Sequence, residues 1–323
     1  MPEIMVSVGC TVYNHERYLR KCLESLVMQK TAFPYEVIVH DDASTDSSAA
    51  IIREFAQRYP DKIVPIYQTE NQYSKGISPL APILAQARGR YVALCEGDDF
   101  WTSADKLQKQ VDFLEQHPDF SLCAHAAYCA HEDSSFYRGR VFRPYSESRE
   151  VSVPELLSGW KFATNSLFYR RSAQKEPVPP FQGDCPSGDF ALTAYLALKG
   201  RVYYLDELLS AYRVDSVGSI NWTFKDDMSR HIVSRQKFIA MLHRIDDYTA
   251  HQYSDTIRST IEQSVFDIHV LQGQLDAARR DTARYRALPP KQKAELWLHN
   301  CAPALFALYR KAVATIKHAK YHL

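Results

Sequence analysis

Three carboxylates within four positions, Glu96-Gly97-Asp98-Asp99, follow directly on the short apolar run Tyr91-Val92-Ala93-Leu94-Cys95. Such a run has the length of a buried strand and is too short for a helix. Like charges packed this closely repel unless a cation or solvent lies between them, so a strand that delivers acids to its carboxyl end is suited to hold a cation there. A solvated acidic turn is the plainer alternative. Two further turns carry groups that suit a nucleotide. In Thr11-Val12-Tyr13-Asn14-His15 the Tyr13 ring can stack on a base and Asn14 offers donors and acceptors; in Asp41-Asp42-Ala43-Ser44-Thr45-Asp46, Asp42 can accept from a base N–H. Turn packing and helix capping call for the same residue types by themselves. Asp189, behind the Pro- and Gly-rich stretch 177–186, opens a helical pattern, where the backbone dipole alone favours an acid.

Alternating strands and helices must position these turns. The patterning predicts strands over 5–12, 35–40, 63–67 and 91–95, with helices over 15–29, 47–59 and 79–87 between them, and hence a parallel sheet with right-handed crossovers. The ligand crevice of such a sheet lies outside the carboxyl ends of its strands, where all three turns fall. Thr45 or Asp46 is the expected N-cap of the second helix. Beyond Trp101 the pattern predicts a helix over 105–117, a long strand over 120–130, a polar surface loop over 131–149 and a strand over 164–169. A helix from Asp189 to about Lys199 and two strands over 202–205 and 208–214 follow.

From Phe224 onward the patterns are long and helical. Ile257, Ile261, Val265, Ile268, Leu271, Leu275 and Ala278 recur every three or four residues, a stripe suited to docking on the sheet domain or to pairing two chains into a homodimer through 250–285. The chain is thus expected to divide into a sheet domain over 1–222, a helical extension over 223–288 and a basic amphipathic helix over 289–323.

The 323 residues suffice for one large core plus an appendage. A formal net charge of +1 carries no global nucleic-acid signature, and no nucleic-acid partner is expected. That balance conceals an asymmetry. From Arg286 onward seven basic residues accompany one acid, Glu295, leaving +6 on the tail and −5 on the remainder. With Trp297 near its start and Leu298, Ala302, Leu305, Leu308, Tyr309, Val313 and Ile316 on one side, 289–323 reads either as a membrane-surface helix or as a helix docked on the core. Seven scattered cysteines without a Cys-x-x-Cys pair fit a reducing compartment and argue against structural zinc. There is no leader pattern of basic then apolar residues, and no apolar run of the roughly 18–20 residues that spans a bilayer. The expected location is the cytoplasm, either soluble or peripheral on the inner face of the plasma membrane.

Neither Gly-x-Gly-x-x-Gly after the first strand nor Gly-x-x-x-x-Gly-Lys-Ser/Thr occurs, so the dinucleotide and P-loop fingerprints are absent. Other short stretches recur in order: Thr11-Val12-Tyr13-Asn14, Leu23-Glu24-Ser25-Leu26 with Gln29, and Tyr35-Glu36-Val37-Ile38-Val39 with the turn 41–46. They continue with Ala87-Arg88-Gly89-Arg90-Tyr91, Glu96-Gly97-Asp98-Asp99-Phe100-Trp101, Lys106-Leu107-x-x-Gln110, Gly188-Asp189-x-x-Leu192 and Tyr212-Arg213. Together, over about 6–218, the chain resembles the family 2 glycosyltransferases, inverting enzymes of the GT-A fold.

The resemblance implies an α/β architecture, a Rossmann-like, mostly parallel sheet flanked by helices with a helical C-terminal extension. It implies that Thr11, Tyr13 and Asp42, with Asn14 beside them, hold a nucleobase, most often uracil. Asp98 would contact the ribose or sugar, and Asp99, with Asp98, would ligate Mn2+ or Mg2+ bridging the diphosphate. Glu96 stands where many members carry Asp, and Asp189 would be the catalytic base. Many relatives place a His shortly after the Tyr-Arg pair, whereas Val214-Asp215 follows here.

The chemistry agrees. A hard divalent cation held by carboxylate and phosphate oxygens stabilises the charge growing on a leaving diphosphate, and one carboxylate can take the proton of an attacking hydroxyl. The expected partners are a nucleotide-sugar donor, UDP-hexose by default, and a saccharide or lipid-linked acceptor in surface polysaccharide or glycolipid synthesis. A sugar-nucleotide pyrophosphorylase would carry a Gly-rich, Arg-containing loop after the first strand, which Thr11-Val12-Tyr13-Asn14 is not. A non-catalytic nucleotide-sugar binding or scaffold protein is the other alternative.

Overall fold

The β-branched run from Val6 forms β1 (Val6–Val12), buried at six of its seven positions, as a strand covered on both faces requires. It runs parallel to β2 (Tyr35–Asp41) on one side and β4 (Tyr91–Leu94) on the other, and β3 (Ile63–Tyr67) continues parallel beyond β2. Val12 pairs with Asp41 and Gly9 with Leu94, so the turns after these strands emerge at one edge of the sheet. The structure, a computed structural model, describes residues 3–176, 178–214, 216 and 227–321, with 311 and 314–321 described by backbone alone. Two units make up the chain, Met1–Ser219 and Ile220–Leu323.

In the first unit the sheet order is β3-β2-β1-β4-β9-β6-β10-β5. β9 (Phe168–Arg170) is antiparallel to both β4 and β6 (Phe120–Ala130). β10 (Arg201–Arg213) runs parallel to β6, and β5 (Phe100–Trp101) antiparallel to β10. The sheet is therefore parallel from β3 to β4 and mixed beyond. One face is covered by α1 (Leu19–Val27), α2 (Ser48–Arg58) and, after the short α3 (Ala81–Gln86), α4 (Lys106–Gln116). Leu19, Leu23 and Leu26 of α1 pack there on Val6, Val8 and Cys10. Each of these leucines is fully enclosed, and truncation to Ala would cost about 2–5 kcal/mol. On the other face α5 (Val153–Leu157) and α6 (Gly188–Ala197) set Leu156, Leu192 and Leu196 against Val92, Leu94 and Leu122.

Several elements differ from their sequence patterns. Segment 131–149 contains β7 (Phe136–Phe142) on β6, and β8 (Arg149–Val151) on β10, rather than a loop alone. β7 has no buried position and so no alternation to read; backbone pairing holds it at the edge. The two strands expected over 202–214 are the single β10, with a register shift between Leu205 and Leu208 that breaks the period of two. Thr164–Ser166 form a 3-10 turn, and only Phe168–Arg170 pairs as strand. The N-cap of α2 is Ser47, without a side-chain cap bond, rather than Thr45 or Asp46; Asp46, one position earlier, accepts from Ser48 N–H at 2.9 Å.

The second unit holds helices Met228–Tyr248, Ser254–Leu271, Leu275–Arg280, Thr282–Ala287, Pro290–Cys301 and Pro303–Tyr321 among the described residues. An Arg235–Asp267 ion pair of 3.0 Å links the first two. The apolar stripe is only partly the buried face. Ile257, Leu275 and Ala278 are buried, but Val265 is exposed and Thr260 and Ser264 take interior places. Those two hydroxyls bond back to the carbonyls of Thr256 and Thr260, which lets small polar residues sit inside a helix pair. None of the described helices is long and apolar enough to cross a membrane.

Candidate active site

After β4 the chain continues beside β1, with Cys95 N–H donating to Gly9 O (3.0 Å) and Gly97 N–H to Thr11 O (2.9 Å). Asp99 N–H returns to Glu96 O at 3.0 Å and closes a tight turn. Gly97 has no room for a side chain, since a Cβ would stand 2.7 Å from His15 Nδ1 and 3.0 Å from Val12 Cγ2. Residues far along the chain then pin the turn. Asp99 Oδ1 accepts from Arg213 N–H (2.8 Å) and Oδ2 from the Asn165 side-chain amide (2.9 Å). Arg213, itself buried, donates from Nε to Asp98 O (2.6 Å) and from Nη1 to the carbonyls of His131 (2.6 Å) and Glu132 (2.8 Å). Asp98 Oδ2 accepts from Ser216 Oγ at 2.6 Å.

Asp99, the metal ligand that the resemblance implies, is the most buried of the three acids. It is 1% exposed and both its oxygens are engaged, so it holds the turn in shape. Burial, with the charges of Asp98 and Glu96 behind it, pushes its carboxyl well above the usual range against the pull of the Arg213 N–H.

Glu96 keeps the most exposure of the three acids. Burial of its carboxyl still raises the pKa to about 8; the charges of Asp98 and Asp189 add to this, and the Thr164 hydroxyl opposes it. Asp189 lies in the first turn of α6, where Oδ1 accepts from Phe190 N–H (2.8 Å) and from the Trp160 indole N–H (3.3 Å). Burial raises its carboxyl and those two bonds lower it. The Tyr212 hydroxyl is pushed up by burial and then by Asp99, Glu96, Asp98 and Asp189 in turn. One phenol that feels four carboxylates has all of them for neighbours.

Two of the expected nucleotide contacts are tied into neighbouring loops. Asn14, at φ 56°, accepts through Oδ1 from Thr45 N–H (2.8 Å), and its own N–H donates to Ser44 Oγ (2.9 Å), tying the first two turns together. Asp42 is buried and accepts from the backbone N–H groups of Gln72 (2.7 Å) and Tyr73 (3.0 Å). Thr11 is partly exposed and gives its carbonyl to Gly97. Tyr13 and Tyr73 remain open, and Tyr73 feels the charge of Glu96. Sequence reasoning passed over Tyr73, Trp160, Thr164, Asn165 and Ser216. The polar triplet Thr164-Asn165-Ser166 between apolar neighbours was the available signal. Asp215 lies outside the described residues.

Among the described residues no three His, Cys, Asp or Glu side chains converge to enclose an ion. Glu96 and Asp98 nevertheless fit one side of a hard divalent cation. They offer oxygen donors whose mutual repulsion a cation relieves, and Mg2+ or Mn2+ commonly completes its shell with water and phosphate oxygens.

The fold is that of the GT-A glycosyltransferases. S. aureus TarS 1-349 in complex with UDP-GlcNAc matches with a TM-score of 0.54 at 18% identity, over 92% of this chain and 91% of that one. The mannosyltransferase PcManGT from Pyrobaculum calidifontis, in complex with GDP-Man and Mn2+, matches with a TM-score of 0.53 at 17% identity, over 96% and 86%. Residues 7–176 match the model of Glycosyl transferase family 2, and the chain belongs to that family. Uncharacterized protein Rv1520 of Mycobacterium tuberculosis is 37% identical over 222 residues, 68% of this chain and 62% of its own length. The chain thus spans less than two thirds of that relative.

Proposed function

We propose that the protein transfers a sugar, with inversion, from a nucleotide-diphosphate donor to an acceptor hydroxyl, the donor being a UDP-hexose. The observation that carries this reading is the proximity of the strand-end acids Glu96 and Asp98 to the helix-initiating acid Asp189, seen in the charges that act on Glu96 and on the Tyr212 phenol. A Mn2+ or Mg2+ ion held there supplies Lewis-acid stabilisation of the leaving diphosphate. Glu96 and Asp98 hold that ion, and Asp99 stands behind them as their support. Tyr13 and Tyr73 offer rings to the nucleobase, on a wall fixed by Thr11, Asn14 and Asp42.

Asp189 takes the proton of the acceptor hydroxyl as its oxygen bonds to the anomeric carbon. The sugar–diphosphate C–O bond breaks on the opposite side, and its electron pair leaves with the nucleoside diphosphate. Trp160 and the Phe190 N–H at the start of α6 favour the ionised Asp189 carboxylate against its burial and aim it. General-base assistance of this kind is worth roughly 10²–10⁴-fold. We read the acceptor as a saccharide or lipid-linked saccharide of surface polysaccharide or glycolipid synthesis, handled in the cytoplasm or on the inner face of the plasma membrane.

The test is thermal-shift screening of nucleotide sugars with and without Mn2+, followed by turnover with the best donor. Asp189→Asn should keep metal-dependent donor binding and lose transfer and donor hydrolysis about 10²–10⁴-fold. Metal-dependent donor binding with no turnover in the parent chain would point to a binding or scaffold protein instead. Near-parental turnover of the variant would place the base elsewhere.

A further inference from the structure

Leu308 at 63%, Leu305 at 60% and Trp297 at 54% are the most exposed large apolar side chains among the described residues. They stand on the consecutive helices Pro290–Cys301 and Pro303–Tyr321. The inward faces of both helices are already occupied. Leu296 is buried with Phe266, Leu275 and Ala278. The Phe306 ring stacks on His299 with centroids 4.3 Å apart, and the Tyr309 hydroxyl donates to Glu295 at 2.9 Å. Leu305 and Leu308 point away from those contacts, and Ala304 and Ala312 are exposed at helical spacing with them. In sequence the same spacing continues with Ile316 and Ala319.

Charge narrows what can cover this stripe. Between Arg286 and Leu323 the only acid is Glu295, already bonded to Tyr309, and the segment carries +6. Two copies meeting through it would bring +6 against +6, which disfavours self-pairing. An anionic surface with an apolar layer beneath it answers both the charge and the leucines, and an indole ring suits the boundary between them.

We propose that the outward face of 290–321 is a docking surface for an anionic lipid bilayer. The helix lies in the headgroup plane with Trp297, Leu305 and Leu308 inserted, and the basic side chains of the segment reach the lipid phosphates. This inference stands independently of the catalytic reading.

The full chain is sedimented with vesicles of phosphatidylcholine alone and of phosphatidylcholine with phosphatidylglycerol, at low and raised salt. Binding to the phosphatidylglycerol vesicles is expected, weakening as salt screens the charge. The double variant Leu305→Asp with Leu308→Asp should lower the partition at least roughly tenfold while its melting temperature stays parental, since both side chains are exposed. Independently of that variant, Trp emission of the parent should shift to the blue on adding the anionic vesicles, and Trp297→Phe should lose the shift. The proposal is overturned if the parent stays in the supernatant at low salt, or if the double variant sediments as well as the parent. It is equally overturned if light scattering shows a parental dimer, broken by the variant, with no vesicle binding.

Discussion

Asn165 and Asp99 meet through a side-chain hydrogen bond of 2.9 Å in the interior of the first unit. Asn165 also donates to Ala211 O at 2.9 Å and accepts from the Ser210 hydroxyl at 2.7 Å, so its amide is fully used. Taking away the Asp99 carboxylate strands two buried donors, this amide and the Arg213 N–H. Each stranded group costs about 1–3 kcal/mol. Asp99→Ala should therefore lower the unfolding free energy by about 2–5 kcal/mol in urea denaturation. An unchanged midpoint would release Asp99 from the scaffold and return it to the role of metal ligand.

Trp160 and Asp189 give a prediction about pH. As the proposed base, Asp189 works only when ionised, so activity should fall as pH drops through its raised pKa. The indole N–H favours the ionised form. Trp160→Phe removes that bond, raises the carboxyl further and should move the acidic limb of the kcat/KM profile to higher pH. A limb that stays in place would detach the profile from Asp189.

Glu96, a proposed metal ligand, gives a prediction about stability. Its carboxyl keeps a proton up to about 8 in the folded chain, against a reference of 4.5. Between those values the folded state binds the extra proton, so this group's contribution to stability is present at low pH and is lost as pH rises. In EDTA the parent should lose melting temperature across that window relative to Glu96→Gln. Added Mn2+ or Mg2+ should restore it, most at the alkaline end where the proton no longer competes. Parallel curves for parent and variant would contradict this.

Asn14 tests whether the first turn is scaffold or ligand contact. At φ 56° an alanine is strained, and it also loses the bond from Thr45 N–H. Asn14→Ala should destabilise by about 2–3 kcal/mol, and Asn14→Gly by less because glycine accepts that backbone. Donor affinity close to parental in the glycine variant would mark the residue as a tie between turns; a large loss at unchanged stability would mark a direct contact.

The parallel half of the sheet was legible because its strands are short, apolar and bounded by turn residues. The mixed half was harder. β7 lacks a buried face, and β10 changes register in the middle, so neither shows the period of two. The acids at the turn were equally legible, but not their division of labour. Whether a carboxylate faces a cleft or a buried amide depends on partners such as Asn165 and Arg213, which no local spacing announces. Several of the motif stretches turn out to be framework. Arg88 and Gly89 are tied to Glu36 and Ser7 through bonds of 2.8–2.9 Å, and Gln110 reaches the carbonyls of Cys123 (2.9 Å) and Ser166 (3.1 Å).

The clamp on Asp99 also has a bearing on synthesis. Its two donors enter the polypeptide 66 and 114 positions after the residue they hold. A nascent chain that has emerged only through β4 and its acids owns the charges without the frame that orients them. The turn takes its final shape only once β10 has been made.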